Sequence, residues 1–367
     1  MLRKLILLLA VLMLTLSACL PEETPTAEPK PPTSTPTEAA AEPEPTNTVT
    51  IPTPTEEPTP YPAEEPTPYP GVEETTSANP YPGPEEAQEW PRSFVDDLGR
   101  SIELAEPAQR IVTLGPSSLE SLFAIGAGDQ IVGREDFSTY PAEALEITSV
   151  GSLWGELPTE PILALDPDLV IAPEIISPEQ VQALEDLNLN VYFQANPVDF
   201  DGLWENLWEL AALTAHEDEA ETLIAELNGR VMAVEEVIMP LSYRPTVFYE
   251  LDATDPQNPY TVGARTFIDA IITMSGGFNI GQALEGAYAP ISSEEVITQN
   301  PEIILLADAP YGVTPETVAS RAGWDVIAAV QNGAVYEFDP FLVSVPGPRL
   351  VNGLETMARL LHPEAFE

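Results

Sequence analysis

Few residues of this chain are equipped for chemistry, and their types and spacing exclude most of it. The sequence holds one cysteine, Cys19, and two histidines, His216 and His362. One cysteine allows no intramolecular disulfide. Two distant imidazoles cannot build a zinc or haem-iron centre of several histidines. No Asp-x-Asp-x-Asp-Gly loop offers a calcium cage, and no Gly-x-Ser-x-Gly elbow or Gly-x-x-x-x-Gly-Lys loop occurs. The paired acids Asp96 and Asp97 fall in an expected surface turn, and both histidines are expected on the surface. No catalytic residue, cofactor or metal is therefore assigned, and the chain reads as a non-enzyme. What remains is binding chemistry. Trp154 stands between Gly151 and Gly155 in a loop before a helix, an unusual place for a core side chain. Arg265 opens a helix beside a glycine turn, and Arg349 follows Pro346-Gly347-Pro348. Either guanidinium could meet a carboxylate, phosphate or carbonyl of a ligand, or pair with one of the many surrounding acids.

Basic residues are scarce: 13 Lys plus Arg against 60 Asp plus Glu give a formal charge of −47. Such a field repels nucleic acid and anionic lipid and disfavours strongly anionic small ligands. The chain opens with Arg3 and Lys4 and an apolar run, Leu5 to Leu16, too short to span a bilayer comfortably. The run ends in Leu16-Ser17-Ala18-Cys19, which resembles the bacterial lipobox. The resemblance implies cleavage before Cys19 and its lipidation, hence an extracytoplasmic protein anchored to the cell membrane. Residues 20–91 are a Pro/Thr/Glu-rich stretch in which Glu56 to Pro62 recurs as Glu64 to Pro70. Proline and like charge favour an extended, disordered tether, with a reach on the order of 200 Å.

Beyond the tether, apolar runs alternate with amphipathic stretches, the pattern of an α/β fold with parallel strands. Three pieces occur twice in the same order. Arg110 to Leu114, Gly115-Pro116-Ser117-Ser118, a helix to Gly126 and a strand at Ile131-Val132-Gly133 correspond to Tyr260-Thr261-Val262, Gly263-Ala264-Arg265-Thr266, a helix to Gly276 and Asn279-Ile280-Gly281. Ser117 with Glu120 reads as a capping box, and Thr266 with Asp269 as a looser one. Thr159 to Ile171 matches Ser293 to Leu305, each a capped short helix, a proline stop and a buried strand. Val191-Tyr192-Phe193 matches Val335 to Phe338. The order predicts two similar α/β lobes, at 92–198 and 241–367. Between them, 199–240 shows helical spacing in two segments, the second long enough to bridge the lobes.

The phrases RIVTLGPSSLESLFAIGAGDQIVG, EPILALDPDLVIAPE and GGFNIGQ, in this order around a connecting helix, resemble the cobalamin and ferric-siderophore binding proteins of ABC importers. The resemblance covers roughly residues 108–364. It implies two lobes joined by a long helix, with ligand held in the cleft between them, beyond the carboxyl ends of the strands. The loops there bring Ser117, Ser118, Phe137, Tyr140 and Trp154 from the first lobe, and Tyr249, Tyr260, Arg265, Tyr288, Tyr311, Phe341 and Arg349 from the second. Rims rich in Tyr and Trp suit large flat ligands. A corrinoid is the favoured cargo and a ferric siderophore the next, with haem below both. Glu160 and Glu294 occupy equivalent places in the two lobes, and the resemblance implies that they dock on a two-fold permease. The protein is then expected to be a monomeric receptor. The competing readings are an enzyme on the same lobes, which lacks the residues for it, and a surface adhesive or carbohydrate-binding module, which leaves the duplicated lobes unexplained.

Overall fold

A computed structural model describes residues 89–367. The leader, Cys19 and the tether up to residue 88 lie outside the described residues. The last residues assigned to the tether belong to the folded unit. Trp90 packs beside Phe94, with ring centroids 6.1 Å apart, and the Arg92 guanidinium lies 4.6 Å above its ring.

The first lobe opens with an antiparallel hairpin of β1 (Arg92–Val95) and β2 (Ser101–Leu104). Its main sheet is built from β3 (Ile111–Thr113), β4 (Ile131–Glu135), β5 (Ser149–Gly151), β6 (Leu169–Pro173) and β7 (Val191–Gln194). The strand order is β5-β4-β3-β6-β7, and every pairing is parallel. Helices must then cover both faces, and that is why the central strands are apolar throughout rather than alternating. Ile111, Leu169 and Ile171 face the core shared with the connecting helices, while Val112, Val170 and Val191 fill the opposite face.

The chain leaves this lobe through the helix Phe200–Thr214, capped by Asp199, which accepts from the Gly202 amide at 2.9 Å. Ala215 ends it in the left-handed conformation, and the helix Glu217–Ile238 follows. At 1.5 Å per residue its 22 residues reach roughly 33 Å. Three acids in its first turn complement the helix dipole. Ala220, Ile224, Leu227, Val231, Val234 and Ile238 form one buried stripe. One continuous apolar cluster runs from the first lobe through this stripe into the second.

The second lobe contains β8 (Thr246–Glu250), β9 (Tyr260–Val262), β10 (Phe278–Asn279), β11 (Tyr288–Pro290), β12 (Ile303–Leu306) and β13 (Val335–Glu337). Its parallel sheet runs β10-β8-β12-β13. β9 is not part of it and pairs antiparallel with β11. The strand equivalent to β3 is therefore β8, and Tyr260–Val262 is an extra strand inserted between β8 and the helix Phe267–Met274, paired with β11, which comes after that helix. The glycine turn after β9 resembles the turn after β3 closely enough to shift the sequence alignment onto the wrong strand.

Three further expectations are corrected. The helix Pro116–Ala124 starts after Gly115 without a side-chain cap, so Ser117 and Glu120 form no capping box. Asp96 is buried rather than in a surface turn: its carboxylate accepts from the Leu98, Arg100 and Phe193 amides at 3.1, 2.9 and 3.1 Å and pairs with Arg100. His362 is buried with Nε2 3.1 Å from the Gly276 carbonyl, where it finishes the C-terminal helix Leu350–Leu361.

Candidate functional site

The carboxyl ends of both parallel sheets carry the same construction. A strand delivers the chain to a glycine, and a helix opens just beyond it, at Pro116 after Gly115 and at Phe267 after Gly263. Ser118 Oγ donates to the Gly115 carbonyl at 3.1 Å, and Thr266 Oγ1 donates to the Gly263 carbonyl at 3.2 Å. Thr266 also accepts from the Asp269 amide at 3.0 Å, as its capping position requires. A side chain at either glycine has no room: a Cβ would stand 2.9 Å from Pro173 at Gly115 and 2.1 Å from the Gly286 carbonyl at Gly263. The turns thus bring helix openings close to the strand ends and spend the Ser118 hydroxyl internally. Ser118 is buried and committed, which removes it from the expected contact surface, whereas Ser117 is half-buried and open to a small polar pocket with Asn196 and Asn206.

Exposed aromatic rings cluster at these strand ends. In the first lobe Phe137 follows β4, and Trp154, 74% exposed, follows β5. In the second lobe Tyr311, 82% exposed, follows β12, Phe341 follows β13 at the start of a short helix, and the paired strands β9 and β11 present Tyr260 and Tyr288. All are large aromatic side chains left uncovered, the arrangement that marks an interaction surface. The turn carrying Phe137 is held from beneath by Glu135, a buried carboxylate that accepts from the Phe137 amide at 2.7 Å and from Ser138 Oγ at 2.6 Å. Arg265 is exposed in its turn with φ +64°.

Two expected contacts lie elsewhere. Tyr249 is fully buried on β8, with its ring edge-on to Phe338 at 6.1 Å, so it belongs to the core of the second lobe. Arg349 is already paired. Its Nε donates to Glu120 at 2.8 Å, its Nη2 donates to the other carboxylate oxygen, and its guanidinium lies 3.9 Å over the Tyr140 ring. Glu120 sits in the helix Pro116–Ala124 of the first lobe, so this is an ion pair between lobes. Beneath it is a cavity of about 530 Å3, walled by Phe123, Tyr140, Leu227, Arg230 and Asn352. A second interlobe contact sets Phe267 edge-on to Phe200 at 5.4 Å.

Acidic groups dominate the electrostatics. Glu174, at the end of β6, accepts from the Asn196 amide at 2.9 Å. Burial first, and then the charge of Glu174, push the Tyr288 hydroxyl up from its ordinary pKa. Asp308, at the end of β12, is buried: Oδ2 accepts from the Ala253 amide at 3.0 Å, and Oδ1 has no partner. Burial and then the neighbouring Glu250 push its carboxyl up to about 6. Glu250 itself is neutralised by a bidentate pair with Arg321, at 2.5 and 2.7 Å. Burial also raises Glu120, against the pull of Arg349. Sequence reasoning missed Glu120, Glu135, Glu174 and Asp308 because each acquires its role from a fold contact rather than from a motif.

Away from the cleft, Glu160 and Glu294 are both exposed, each the second residue of a short helix, Thr159–Ala164 and Ser293–Gln299. The caps differ: Ser292 caps the second helix through the Glu295 amide, while the first follows Pro158 with no side-chain cap. Among the described residues no group of three or more His, Cys, Asp or Glu is arranged to hold a metal ion. No helix of the described residues is long and apolar enough to cross a membrane.

Two α/β lobes, a helical strut between them and exposed aromatics beyond the strands of both lobes are the architecture of a two-lobed solute-binding protein. The chain belongs to the periplasmic binding protein family, whose model matches residues 111–341. It is 28% identical over 283 residues to the ABC transporter substrate-binding lipoprotein YvrC of Bacillus subtilis, covering 76% of this chain and 88% of that protein. It is 29% identical over 280 residues to a cobalamin-binding protein of Halobacterium salinarum, covering 74% of each. The solved vitamin B12 binding protein BtuF of Vibrio cholerae superposes with a TM-score of 0.60 at 25% identity, over 71% of this chain and 99% of that one.

Proposed function

We propose that this chain is the extracytoplasmic receptor of an ABC importer, anchored through a lipidated Cys19, that captures a corrinoid and delivers it to a membrane permease. The observation that carries the reading is the set of exposed aromatics on both lobes, led by Trp154, at the carboxyl ends of two parallel sheets. Flat rings with polar edges cover a large, rigid, partly polar ligand better than aliphatic side chains do. The relatives named for cobalamin or vitamin B12 support the same ligand class. The charge balance supports a neutral or cationic cargo: Glu174 and Asp308 flank the cleft, and the whole chain carries −47. A corrin with neutral amide arms meets that demand, and a haem with two propionates does not.

Trp154, Phe137, Tyr260, Tyr288, Tyr311 and Phe341 are the contacts this reading assigns, with Ser117 and Arg265 as polar partners. Glu160 and Glu294 are its permease contacts. The test is a titration of the purified chain with cyanocobalamin, cobinamide, a ferrichrome-type siderophore and haem, followed by tryptophan fluorescence and calorimetry. Saturable one-to-one binding of a corrinoid, tighter than that of the other ligands, is the expected result. Siderophore or haem binding with no corrinoid binding would overturn the ligand assignment.

A further inference from the structure

Arg349 directs the hydrogen bonds and the flat face of its guanidinium to the lobe opposite its own. It comes from the second lobe, at the start of the helix Leu350–Leu361. Its two bonded nitrogens meet the two oxygens of Glu120, and its flat face covers Tyr140, both in the first lobe. Glu120 is buried, so its charge is held away from water and depends on this partner. The fork geometry of guanidinium and carboxylate is directional, so the pair fixes an orientation as well as a distance. The preceding residues press on the same helix. Pro346 closes the small pocket that Ser117 lines, and at Gly347 a Cβ would stand 3.5 Å from both Glu120 Oε2 and the Ser117 carbonyl. Beside the pair a cavity of about 530 Å3 lies between the helix Pro116–Ala124, the connecting helix at Leu227 and Arg230, and Asn352 of the second lobe. The ion pair therefore borders open space, and its removal leaves room for the lobes to shift.

We propose that Arg349 is a positioning residue of the receptor: its clasp on Glu120 and Tyr140 sets the angle between the lobes and hence the width of the cleft. The ligand need not touch it. The consequence for affinity rests on the cleft being the ligand site, as proposed above, whereas the consequence for lobe geometry does not.

The test uses the full chain with Cys19→Ser, which leaves no other cysteine. Spin labels are placed at Glu156→Cys and Glu316→Cys, exposed positions on the first and second lobes. Pulsed dipolar spectroscopy then reads the interlobe distance without ligand. Glu120→Gln and Arg349→Gln should each lengthen or broaden the distance distribution and weaken cyanocobalamin binding about tenfold. The exchanged pair, Glu120→Arg with Arg349→Glu, should recover most of both, which simple loss of packing would not allow. Should a single variant fold poorly, Arg349→Lys keeps the charge without the fork and is expected to fall between wild type and Arg349→Gln. Unchanged distances in both single variants would overturn the clasp. Altered distances with unaltered affinity would overturn its control of the cleft. If cyanocobalamin fails to bind the wild type as well, the ligand assignment has failed, and the label distances still decide the clasp.

Discussion

Replacing Trp154 by alanine separates binding from folding more sharply than any other change in this chain. A tryptophan side chain presents up to about 250 Å2. At 74% exposure, roughly 185 Å2 of it remains for a ligand to cover. At about 25 cal/mol per Å2, full coverage would contribute up to about 4.6 kcal/mol. Coverage of half that area gives about 2.3 kcal/mol, close to a fiftyfold change in Kd. The folded state loses little. The described polar contact at this position is between the Trp154 backbone amide and Ser152 Oγ, at 3.1 Å, which alanine retains. The unfolding free energy should therefore stay within about 0.5 kcal/mol of wild type. Calorimetric titration with cyanocobalamin, which needs no tryptophan reporter, measures the first quantity, and urea denaturation measures the second. Unchanged affinity in the variant would refute the reasoning. So would a loss of stability as large as the loss of binding.

The double variant Glu160→Ala with Glu294→Ala should bind cyanocobalamin like wild type but fail to support uptake in cells, because both carboxylates are exposed and lie away from the cleft; normal uptake would remove them from the docking surface. Asp308 should make stability fall as pH rises. Its folded pKa of about 6 exceeds the ordinary value near 4, so the folded state holds the proton more tightly. Its contribution is then fully present below about pH 4 and lost by about pH 6. Asp308→Asn should accordingly flatten the decline between pH 4.5 and 7 in chemical denaturation, leaving the part due to Glu209, which burial also raises to about 6, and to Glu120 and Glu235, which burial raises as well. Gly263→Ala should cost about 2–3 kcal/mol of stability by urea denaturation, since its Cβ would meet the Gly286 carbonyl at 2.1 Å; a neutral substitution would show that the chain around β9 and β11 yields easily.

What was legible in the sequence was local. The apolar stripe of the connecting helix, the buried runs of β6 and β12 and the glycine turns at Gly115 and Gly263 all follow from spacing within one segment. The aromatics that stayed exposed could also be anticipated, since Trp154, Tyr311 and Phe341 follow closely on the ends of strands. Tyr249 could not, because a strand buried on both faces gives no alternation to show which way a ring points. The partnership of Arg349 with Glu120 joins residues 229 positions apart, and nothing near either one signals the other. The same holds for Asp96, whose acceptor role on the Phe193 amide depends on β7 passing beside the first hairpin. Glu120 was misassigned for a local reason as well: its spacing from Ser117 fits a capping box, but the helix already opens at Pro116, so Ser117 lies inside it and Glu120 is free to pair across the lobes.

The two lobes repeat their scaffold but not their recognition surface, and the division follows the symmetry of what each part meets. Glycine at 115 and 263, with a hydroxyl returning to its carbonyl from three residues on, is the same in both lobes because strand-to-helix turns pose the same steric problem twice. Glu160 and Glu294 repeat as well, as expected of two contacts on a two-fold partner. The residues around the cleft do not repeat. Ser117 corresponds to Arg265, and Glu120, which takes the clasp, corresponds to the apolar Ile268. The second lobe adds the antiparallel strand pair β9–β11 bearing Tyr260 and Tyr288, which has no counterpart in the first lobe's sheet. A ligand held between the lobes shows each of them a different face, so the side chains that meet it have no reason to match. The asymmetry around the cleft thus argues for one ligand seated in a single orientation rather than two equivalent half-sites. A corrinoid, with axial groups that distinguish its two faces, has the asymmetry this requires. Cyanocobalamin should accordingly bind with a stoichiometry of one, and exchanging the rim residues Trp154 and Tyr311 between lobes should weaken it rather than leave affinity unchanged.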